Sequence, residues 1–268
     1  MQKPFKTKKA LGQHFLRDQI IIDRMILAIK PDTQQHFIEI GPGQGALTCA
    51  LLPHIKQLDV IEYDRSVIPY LKQNCEDLGQ LHVHESDVLQ FDFKSFFEKN
   101  SQSYRIVGNL PYNISTPIFF HLMPQIIHMQ DMHFMVQKEV AERVVAKPGS
   151  KIYGRLSVMM QYYCRAILLF EVPPRAFLPP PKVDSAVIRL LPHGNKMIKA
   201  NNEILFANLV RDCFNLRRKT LRNSVKSYIN TQLEASCPID LGLRPENLSV
   251  SDFVCLADFI DSLSQHSN

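Results

Sequence analysis

The stretch EIGPGQGALT, residues 39–48, joins a strand-like run to a helix-like run and decides the fold. Its glycines, Gly41, Gly43 and Gly45, permit a tight turn and let a ligand approach bare backbone. Together with Ala46, Gly41 and Gly43 also satisfy the pattern G-x-G-x-x-G/A, which is typical of nucleotide-binding turns. The stretch therefore predicts a strand, a ligand-binding turn and a helix.

Outward from this turn, short apolar runs alternate with helical stretches between about residues 20 and 140. The predicted strands are HFIEIG (36–41), QLDVIEYD (57–64), LHVHES (81–86), RIVGNLP (105–111) and MHFMVQ (132–137). This β-α repetition predicts an α/β fold with a doubly wound, largely parallel sheet. Two later runs, ILLFEV (167–172) and SAVIRLLP (185–192), predict an antiparallel pair at one edge, and LSVMMQYYC (156–164) predicts a helix.

The character of the chain changes after Pro192. HGNKM resembles a linker, and EILFANLVRDCF has helical spacing. Ser249 and Asp252, before VCLADFIDSL, fit a capping box that opens a last helix. We therefore expect one domain over residues 1–192 and a small all-α domain over 193–268.

Composition limits the function classes. No apolar run reaches the roughly 18 residues of a membrane span, and the basic N-terminus lacks the apolar stretch of a secretory signal. The six cysteines are scattered without a CxxC pair, which favours reduced cysteines in a cytoplasmic protein over a disulfide framework. We predict no metal site and no membrane association.

Positive charge is clustered, although the net charge is only +5. A late helical stretch carries six cations against Asp212, and other cations open the chain or surround a Pro-Gly-Ser loop. The cations are Lys3, Lys6, Lys8, Lys9, Lys147, Lys151, Arg155, Arg211, Arg217, Arg218, Lys219, Arg222 and Lys226. Each cluster alone is equally compatible with a solvated helix face, but three together favour a nucleic-acid partner.

Two acids follow predicted strands and extend the ligand-binding interpretation. Glu62 ends the second strand, about 20 residues after the glycine turn, where a carboxylate can bind ribose hydroxyls. Taken alone, this pattern fits NAD as well as S-adenosylmethionine. Asp87 follows the third strand and either accepts from an adenine amino group or caps the next helix. In this order the residues predict an adenosine pocket at the carboxyl ends of the strands.

The stretch VGNLPY (107–112) ends the fourth predicted strand beside that pocket. Asn109 is neither an acid nor a base, but its side-chain oxygen and the Leu110 carbonyl can each accept one N–H of an exocyclic amine. Such acceptors aim the lone pair of the amine at an electrophilic methyl group. Pro111 stiffens the loop, and Tyr112 offers a ring on which a flipped base can stack. A mere turn with a buried tyrosine is the alternative, and an NAD dehydrogenase has no evident use for this stretch.

Several motifs in order carry a resemblance to a known family: KKALGQHFL, EIGPGQGALT, VIEYD, SDVL, VGNLPYNIS, MVQKEVAERV, YGRLSV and AFLPPPKVDSAV. The chain resembles the bacterial small-subunit ribosomal RNA adenine dimethyltransferases, the kasugamycin-sensitivity methylase family, over most of residues 8–192 and more weakly beyond. The resemblance implies a Rossmann-like S-adenosylmethionine-dependent methyltransferase domain with a basic N-terminal arm, and a small C-terminal helical domain that binds RNA or the ribosome.

The resemblance also implies a reaction and a partner. Methyl groups pass from S-adenosylmethionine to N6 of two adjacent adenosines in a hairpin loop near the 3′ end of small-subunit rRNA, giving N6,N6-dimethyladenosines. The implied partner is this rRNA within an immature 30S subunit, late in its biogenesis, and we expect a cytoplasmic monomer.

Carried over by position, the family's functional residues fall on this sequence as two sets. The expected cofactor contacts, with Gly43 of the turn added, are His14, Leu16, Gly41, Gly43, Glu62, Asp87 and Asn109. The expected base-holding residues are Asn109, Leu110, Tyr112 and Phe177. Some members carry Asn at the position of His14, so a backbone contact is the expectation there. Without the resemblance, packing under the proline loop is the preferred interpretation of Phe177.

Three alternatives stay open at this point. A large-subunit rRNA methylase of the macrolide-resistance type shares QHFL and NLPY, although AFLPPPKVDSAV and the tail favour the small-subunit enzyme. The chain could act chiefly as a checkpoint that binds immature subunits, with methylation secondary. An NAD oxidoreductase would bind NAD tightly and not S-adenosylmethionine.

Overall fold

The computed structural model describes residues 13–100, 102–194, 198–216, 219–229 and 231–265. The chain divides into two compact units, one formed by the residues up to Ala141 and by Ala166–Pro192, the other by Glu142–Arg165 and the residues from His193 onward. The second unit thus includes residues 142–165, which the sequence analysis assigned to the first domain. The reason is that the helix in this segment packs with the later helices.

The first unit is built on a seven-stranded sheet, and a separate pair of two-residue strands accompanies it. The strands are β1 Phe15–Leu16, β2 His36–Ile40, β3 Gln57–Glu62, β4 Gln80–Glu85, β5 Tyr104–Asn109, β6 Met129–Gln137, β7 Cys164–Val172, β8 Phe177–Leu178 and β9 Ser185–Pro192. The sheet order is β4-β3-β2-β5-β6-β9-β7. The first five of these strands pair in parallel, while β9 runs antiparallel to β6. The predicted α/β Rossmann-like fold is confirmed.

The helices of the first unit connect these strands and take their boundaries from local signals. They are α1 Gln19–Ile29, α2 Ala46–Leu51, α3 Ile68–Asn74, α4 Phe93–Lys99, α5 Ser115–Leu122 and α6 Lys138–Val145, which reaches into the second unit. Asp18 caps α1 by accepting from the Ile20 and Ile21 amides, and Asp92 caps α4. The run ALTCALLPHI (46–55) is helix-like in sequence, but the α-helix covers only Ala46–Leu51. A 3₁₀ turn that contains Pro53 follows it at Leu52–His54.

The parallel strands β2, β3, β5 and β6 are largely buried on both faces, as expected of a sheet covered by helices, whereas the edge strand β4 is only partly buried. Gly108 in β5 lies so close to β2 that a Cβ atom built on it would be 2.5 Å from the Ile40 carbonyl oxygen. A side chain at this position would therefore collide with the backbone of β2, the strand that leads into the glycine turn, while β5 ends at Asn109.

We expect Gly108→Ala to lower the free energy of unfolding by about 3 kcal/mol, because the obstructing atom is backbone in the middle of the sheet and cannot rotate away. Gly154→Ala is the matched control: its backbone is extended, and the nearest atom to its Cβ would be 4.0 Å away. Urea unfolding measures both variants. Equal stabilities would contradict the proposed strand contact.

A two-stranded pairing between β1 and β8 was not predicted. Phe15 pairs with Leu178 and Leu16 with Phe177, and the amides of Arg17 and Asp18 both donate to the Ala176 carbonyl. Two residues are too few to show an alternating pattern, so the sequence holds no signal for this pairing. Its consequence is that residues 13–17 reach the carboxyl ends of the central strands.

The described part of the second unit is helical, and the predicted helices are confirmed. They are α7 Arg155–Tyr163, α8 Glu203–Asn215, α9 Leu221–Ser224 and α10 Val250–Gln265. The capping box is present, since the Ser249 amide donates to the Asp252 carboxylate and the Asp252 amide donates to the Ser249 hydroxyl. Across the described ranges, none of the helices has the length and apolar character that a membrane crossing requires.

Candidate active site

A cavity of about 760 Å³ opens at the carboxyl ends of β2, β3 and β5, within the range of small-molecule sites. The glycine turn, Glu62, Asp87 and the Asn109 loop all line it. Residues 13–17 line another side, so the cavity has a wall from the short strand β1 that the sequence did not predict.

The glycine turn has the backbone conformation that its composition predicts. Gly41, Gly43 and Gly45 have φ angles of +67°, +57° and +93°, a region that favours glycine. A Cβ on Gly43 would be 3.0 Å from the ring of Phe15. The turn therefore leaves its backbone exposed to the cavity while the ring of Phe15 packs against it.

Glu62 is held at the cavity wall by two backbone donors. One carboxylate oxygen accepts from the Asp64 amide at 2.7 Å and the other from the Gly43 amide at 3.1 Å. Its burial raises the pKa of its carboxyl, while these two hydrogen bonds counteract the shift. Each oxygen keeps a further lone pair, so the carboxylate can accept from a pair of adjacent hydroxyls.

Asp87 combines the two interpretations that the sequence left open. One side-chain oxygen accepts from the Leu89 amide at 2.9 Å, which caps the turn after β4. The same residue lines the cavity. A carboxylate has four acceptor positions, so capping leaves Asp87 able to accept from a ligand amine.

Asn109 ends β5 with its amide group in a defined orientation. Its Nδ2 donates to the backbone carbonyl of His14 at 3.0 Å. Because a carbonyl can only accept, the amide nitrogen must face His14 and Oδ1 must face away from it. That oxygen is buried and has no hydrogen-bond partner among the described residues. A buried unpaired acceptor is costly, and at a cavity wall it is suited to a ligand donor.

Leu110 and Tyr112 follow in the same loop and line the cavity. The Leu110 amide donates to the Met135 carbonyl at 3.0 Å, which holds the loop to β6. The Tyr112 hydroxyl contacts the Ser185 hydroxyl, and burial raises the pKa of this phenol. Tyr112 therefore stays neutral and offers an aromatic surface.

His14 contacts this loop through more than its backbone. Its ring lies 5.5 Å from the Tyr112 ring at an interplanar angle of 24°, and its Nδ1 is 2.8 Å from the Pro179 carbonyl. Leu16, also expected at the cofactor, lines the cavity although only 5% of its surface is exposed.

The structure does not bring Phe177 to the cavity with the other expected residues. Phe177 is 3% exposed, pairs with Leu16 and belongs to the same buried apolar cluster as Ile22. It is absent from the cavity lining of the described chain. Phe177 is buried in this structure, and its expected role in holding the base stays a prediction.

Two cavity residues were missed by the sequence analysis. Arg17 lines the opening, with its guanidinium 3.5 Å from the Gln44 side chain, and Gln13 donates to Asp64 at 2.8 Å. Gln13 begins the motif QHFL, which gave it no role, and Arg17 lies in no quoted motif; both reach the cavity beside the β1–β8 pairing.

Glu39, below the glycine turn, is a buried acid whose pKa is raised to about 8 by desolvation. The Thr48 hydroxyl donates to it at 2.6 Å. An acid of this kind binds its proton in the folded state at pH values where the unfolded chain, with a pKa of 4.5, has released it.

For Glu39→Gln, we expect a stability advantage over the parent protein that grows with pH. The parent loses stability as pH rises from about 5 to about 8, because its folded state binds more protons than its unfolded state there. The variant has no carboxyl at this position and lacks this pH-dependent loss of stability. The difference in free energy of unfolding between variant and parent should therefore reach about 4 kcal/mol near pH 8. Urea unfolding at several pH values measures it, and a pH-independent difference would contradict it.

The proposed RNA-contacting cations that the structure describes all lie in the second unit. Lys147, Lys151, Arg155, Lys219 and Arg222 are exposed. The loop that carries the first two is fixed by the Gly149 amide, which donates to the Glu246 carbonyl at 2.6 Å. Arg222 forms an ion pair with Glu234. Arg217 and Arg218 lie outside the described residues, as do the lysines near the N-terminus.

The chain matches known proteins over nearly its full length. A family model described as Ribosomal RNA adenine dimethylase matches residues 4–262. Proteins named Ribosomal RNA small subunit methyltransferase A from Alcanivorax borkumensis and Pseudomonas putida are each 48% identical to it. Each alignment covers 96% of this chain, and 91% and 96% of the respective relative.

Solved structures show the same architecture. A dimethyladenosine transferase from Plasmodium falciparum has a TM-score of 0.79 at 28% identity, covering 94% of this chain and 98% of the other. The 23S rRNA methyltransferase ErmE, with a TM-score of 0.72 at 22% identity over 92% of this chain and 99% of its own, shares the fold. The chain belongs to the ribosomal RNA adenine dimethylase family.

Proposed function

We propose that this protein transfers methyl groups from S-adenosylmethionine to N6 of two adjacent adenosines in the 3′-terminal hairpin loop of small-subunit rRNA. Each adenosine becomes N6,N6-dimethyladenosine. The observation that carries the proposal is Asn109: its buried Oδ1 has no described partner, and its orientation is set by the His14 carbonyl. The 48% identity to small-subunit methyltransferases supports the choice of RNA.

The charge of the cavity supports this cofactor over NAD. Glu62 and Asp87 line it with carboxyl groups, Glu39 adds a neutral acid near pH 7 because burial raises its pKa to about 8, and Arg17 is the one lysine or arginine among the described lining residues. A cofactor with a positive sulfonium is compatible with such a wall, whereas the two negative charges of a pyrophosphate are not. Glu62 would hold the ribose hydroxyls, Asp87 the adenine amine and the glycine turn the rest of the cofactor.

When bound, S-adenosylmethionine supplies an electrophilic methyl group. The task of the chain is to orient a weak nucleophile, because the lone pair of the adenine amine is delocalised into the ring. Asn109 Oδ1 and the Leu110 carbonyl would accept hydrogen bonds from the two N–H groups of the amine and thereby aim its lone pair at the methyl group. After transfer, S-adenosylhomocysteine would leave and the excess proton on N6 would pass to solvent. An amide suits the task because it accepts without having to lose a proton first.

Tyr112 would stack on the flipped adenine, a contact worth roughly 1–3 kcal/mol. Its ring is held between the His14 ring and the Ser185 hydroxyl, which limits its rotation. For the second methylation, the mono-methylated amine must rebind with its remaining N–H directed at an acceptor. The site must also leave room for the methyl group that the amine already carries. Phe177, although buried here, stays a proposed base-holding residue for the other face of the adenine.

Binding of the RNA would fall to the basic second unit, with an immature 30S subunit late in biogenesis as the partner. We propose that the protein acts in the cytoplasm as a monomer. Calorimetry with S-adenosylmethionine and with NAD tests the cofactor assignment directly. Binding of the first alone is expected, and tight binding of NAD alone would overturn the proposal.

Charge neutralisation of the loop cluster should weaken RNA binding in a salt-dependent way. For the triple variant Lys147→Gln, Lys151→Gln, Arg155→Gln, we expect the slope of log affinity against log salt to flatten by about 2–3 units, because each phosphate contact contributes about 0.9. Filter binding of 30S subunits over a range of salt concentrations measures this slope.

The matched control removes three exposed lysines of the first unit, Lys56, Lys94 and Lys99. It changes the net charge by the same amount but removes none of the proposed phosphate contacts. Its salt slope should therefore stay near that of the parent. Equal slopes for both triple variants would assign the loop cluster to a solvated face.

A further inference from the structure

Two cysteines in the first unit touch each other at the edge of the cavity. Cys49 lies in α2 and Cys75 directly follows α3, and their sulfur atoms are 2.6 Å apart. Both sulfurs face Gly45: a Cβ built on this glycine would be 3.2 Å from the Cys49 sulfur and 3.1 Å from the Cys75 sulfur. The thiol pair therefore packs directly beneath the glycine turn.

The two thiols differ in accessibility in a way that suits sequential oxidation. Cys49 is partly exposed and lines the cavity, whereas Cys75 is 4% exposed. A small oxidant can reach the first sulfur, and the second is already in contact with it. We propose that Cys49 and Cys75 are a peroxide-sensitive thiol pair that closes to a reversible disulfide at the wall of the cofactor cavity.

The chemistry balances with hydrogen peroxide as the oxidant. The Cys49 thiolate attacks one peroxide oxygen and displaces hydroxide, which leaves a sulfenic acid on Cys49. The Cys75 sulfur then attacks the Cys49 sulfur, and its proton and the hydroxyl group leave as water. In total the two thiols lose two electrons and two protons, and the peroxide is reduced to two molecules of water.

The roles follow from the surroundings of each sulfur. The hydrogen bond from Cys75 lowers the pKa of Cys49, which favours the thiolate, the nucleophilic form. The same contact and burial raise the pKa of Cys75, which identifies it as the resolving thiol. Elsewhere in the chain, burial raises the pKa of Cys164 and of Cys213 to about 12, so these thiols are poor nucleophiles.

A disulfide at this position would act on the part of the fold that holds the glycine turn. The Asn74 side chain, next to Cys75, donates to the Gln44 carbonyl within the turn at 2.9 Å. The Cys49 amide donates to the Gly45 carbonyl at 2.8 Å. The bond would thus join the two helices that flank the turn, α2 and α3.

Peptide mapping of the full chain tests the proposal. The protein carries Cys237→Ser and Cys255→Ser, which remove the other accessible thiols, and is treated with hydrogen peroxide and then with a thiol-blocking reagent. We expect a mass lower by two hydrogen atoms and a cross-linked peptide pair containing Cys49 and Cys75, both reversed by dithiothreitol. Full blocking of both thiols after peroxide would overturn the proposal.

Two single variants in that background separate the roles. With Cys75→Ser, the sulfenic acid on Cys49 has no resolving thiol and should be trapped by dimedone. With Cys49→Ser, neither the cross-link nor dimedone labelling at Cys75 should form. Labelling of Cys75 in this second variant would contradict the proposed order of attack.

The position of the pair adds a readout that is independent of these variants. Saturation with S-adenosylhomocysteine, its binding verified by calorimetry, should slow disulfide formation by roughly an order of magnitude because peroxide access to Cys49 is blocked. An unchanged rate would contradict access through the cavity. Absence of calorimetric binding would instead count against the proposed cofactor.

Discussion

Replacing Asn109 with alanine is expected to reduce methyl transfer by about 10²–10³-fold while 30S binding stays near that of the parent. Loss of one positioned hydrogen-bonding group in an active site has effects of this size. The substitution also removes the bond to the His14 carbonyl, which should lower stability by only about 1 kcal/mol. Single-turnover transfer from labelled S-adenosylmethionine measures the first effect and filter binding the second.

Asn100→Ala is the matched control, since it makes the same chemical change on an exposed residue of the first unit that does not line the cavity. Its transfer rate should change little. Substantial dimethylation by the Asn109 variant would refute the role given to its oxygen. The result also bears on the checkpoint alternative, because the variant should bind subunits without methylating them.

Replacing Glu62 with glutamine should weaken S-adenosylmethionine binding by roughly 100-fold. The two carboxylate oxygens accept from the amides of Gly43 and Asp64, so an NH₂ group in place of either oxygen would face a donor. The variant loses a charged acceptor for the ribose and distorts the turn. Hydrogen bonds to charged groups are worth about 1.5–3 kcal/mol, consistent with this loss.

Glu85→Gln provides the comparison for this change, since Glu85 ends the neighbouring strand and pairs with the exposed Arg65. Its cofactor affinity, measured by calorimetry, should match that of the parent. Similar losses in the Glu62 and Glu85 variants would point to a general charge effect and contradict a specific contact.

The sheet and the core of the site were predictable from the sequence. Strand-like runs of six to eight residues between helical patterns indicated the parallel strands, and Glu62, Asp87 and Asn109 each end or follow one of them. Because parallel strands end at the same edge, Gly41, Glu62, Asp87 and Asn109 were expected to meet, and all four line one cavity.

The other features of the site and the division into two units depended on contacts that leave no periodic signal in the sequence. The pairing of β1 with β8 brings His14 and Arg17 to the cavity and places Phe177 opposite Leu16. The compact units divide the chain differently from the expected domains at residues 142–165, because a helix pattern shows that a helix forms but not which unit buries it. The contact of Cys49 with Cys75 joins residues 26 positions apart and was equally hidden.

The most direct test is to map the methylated adenosines in 30S subunits that lack this modification, after incubation with the purified protein and labelled S-adenosylmethionine. We expect two adjacent N6,N6-dimethyladenosines in the 3′-terminal hairpin loop of the small-subunit rRNA, formed by the parent protein and absent with Asn109→Ala. Label only in large-subunit rRNA, or no label in either RNA, would contradict the proposed function.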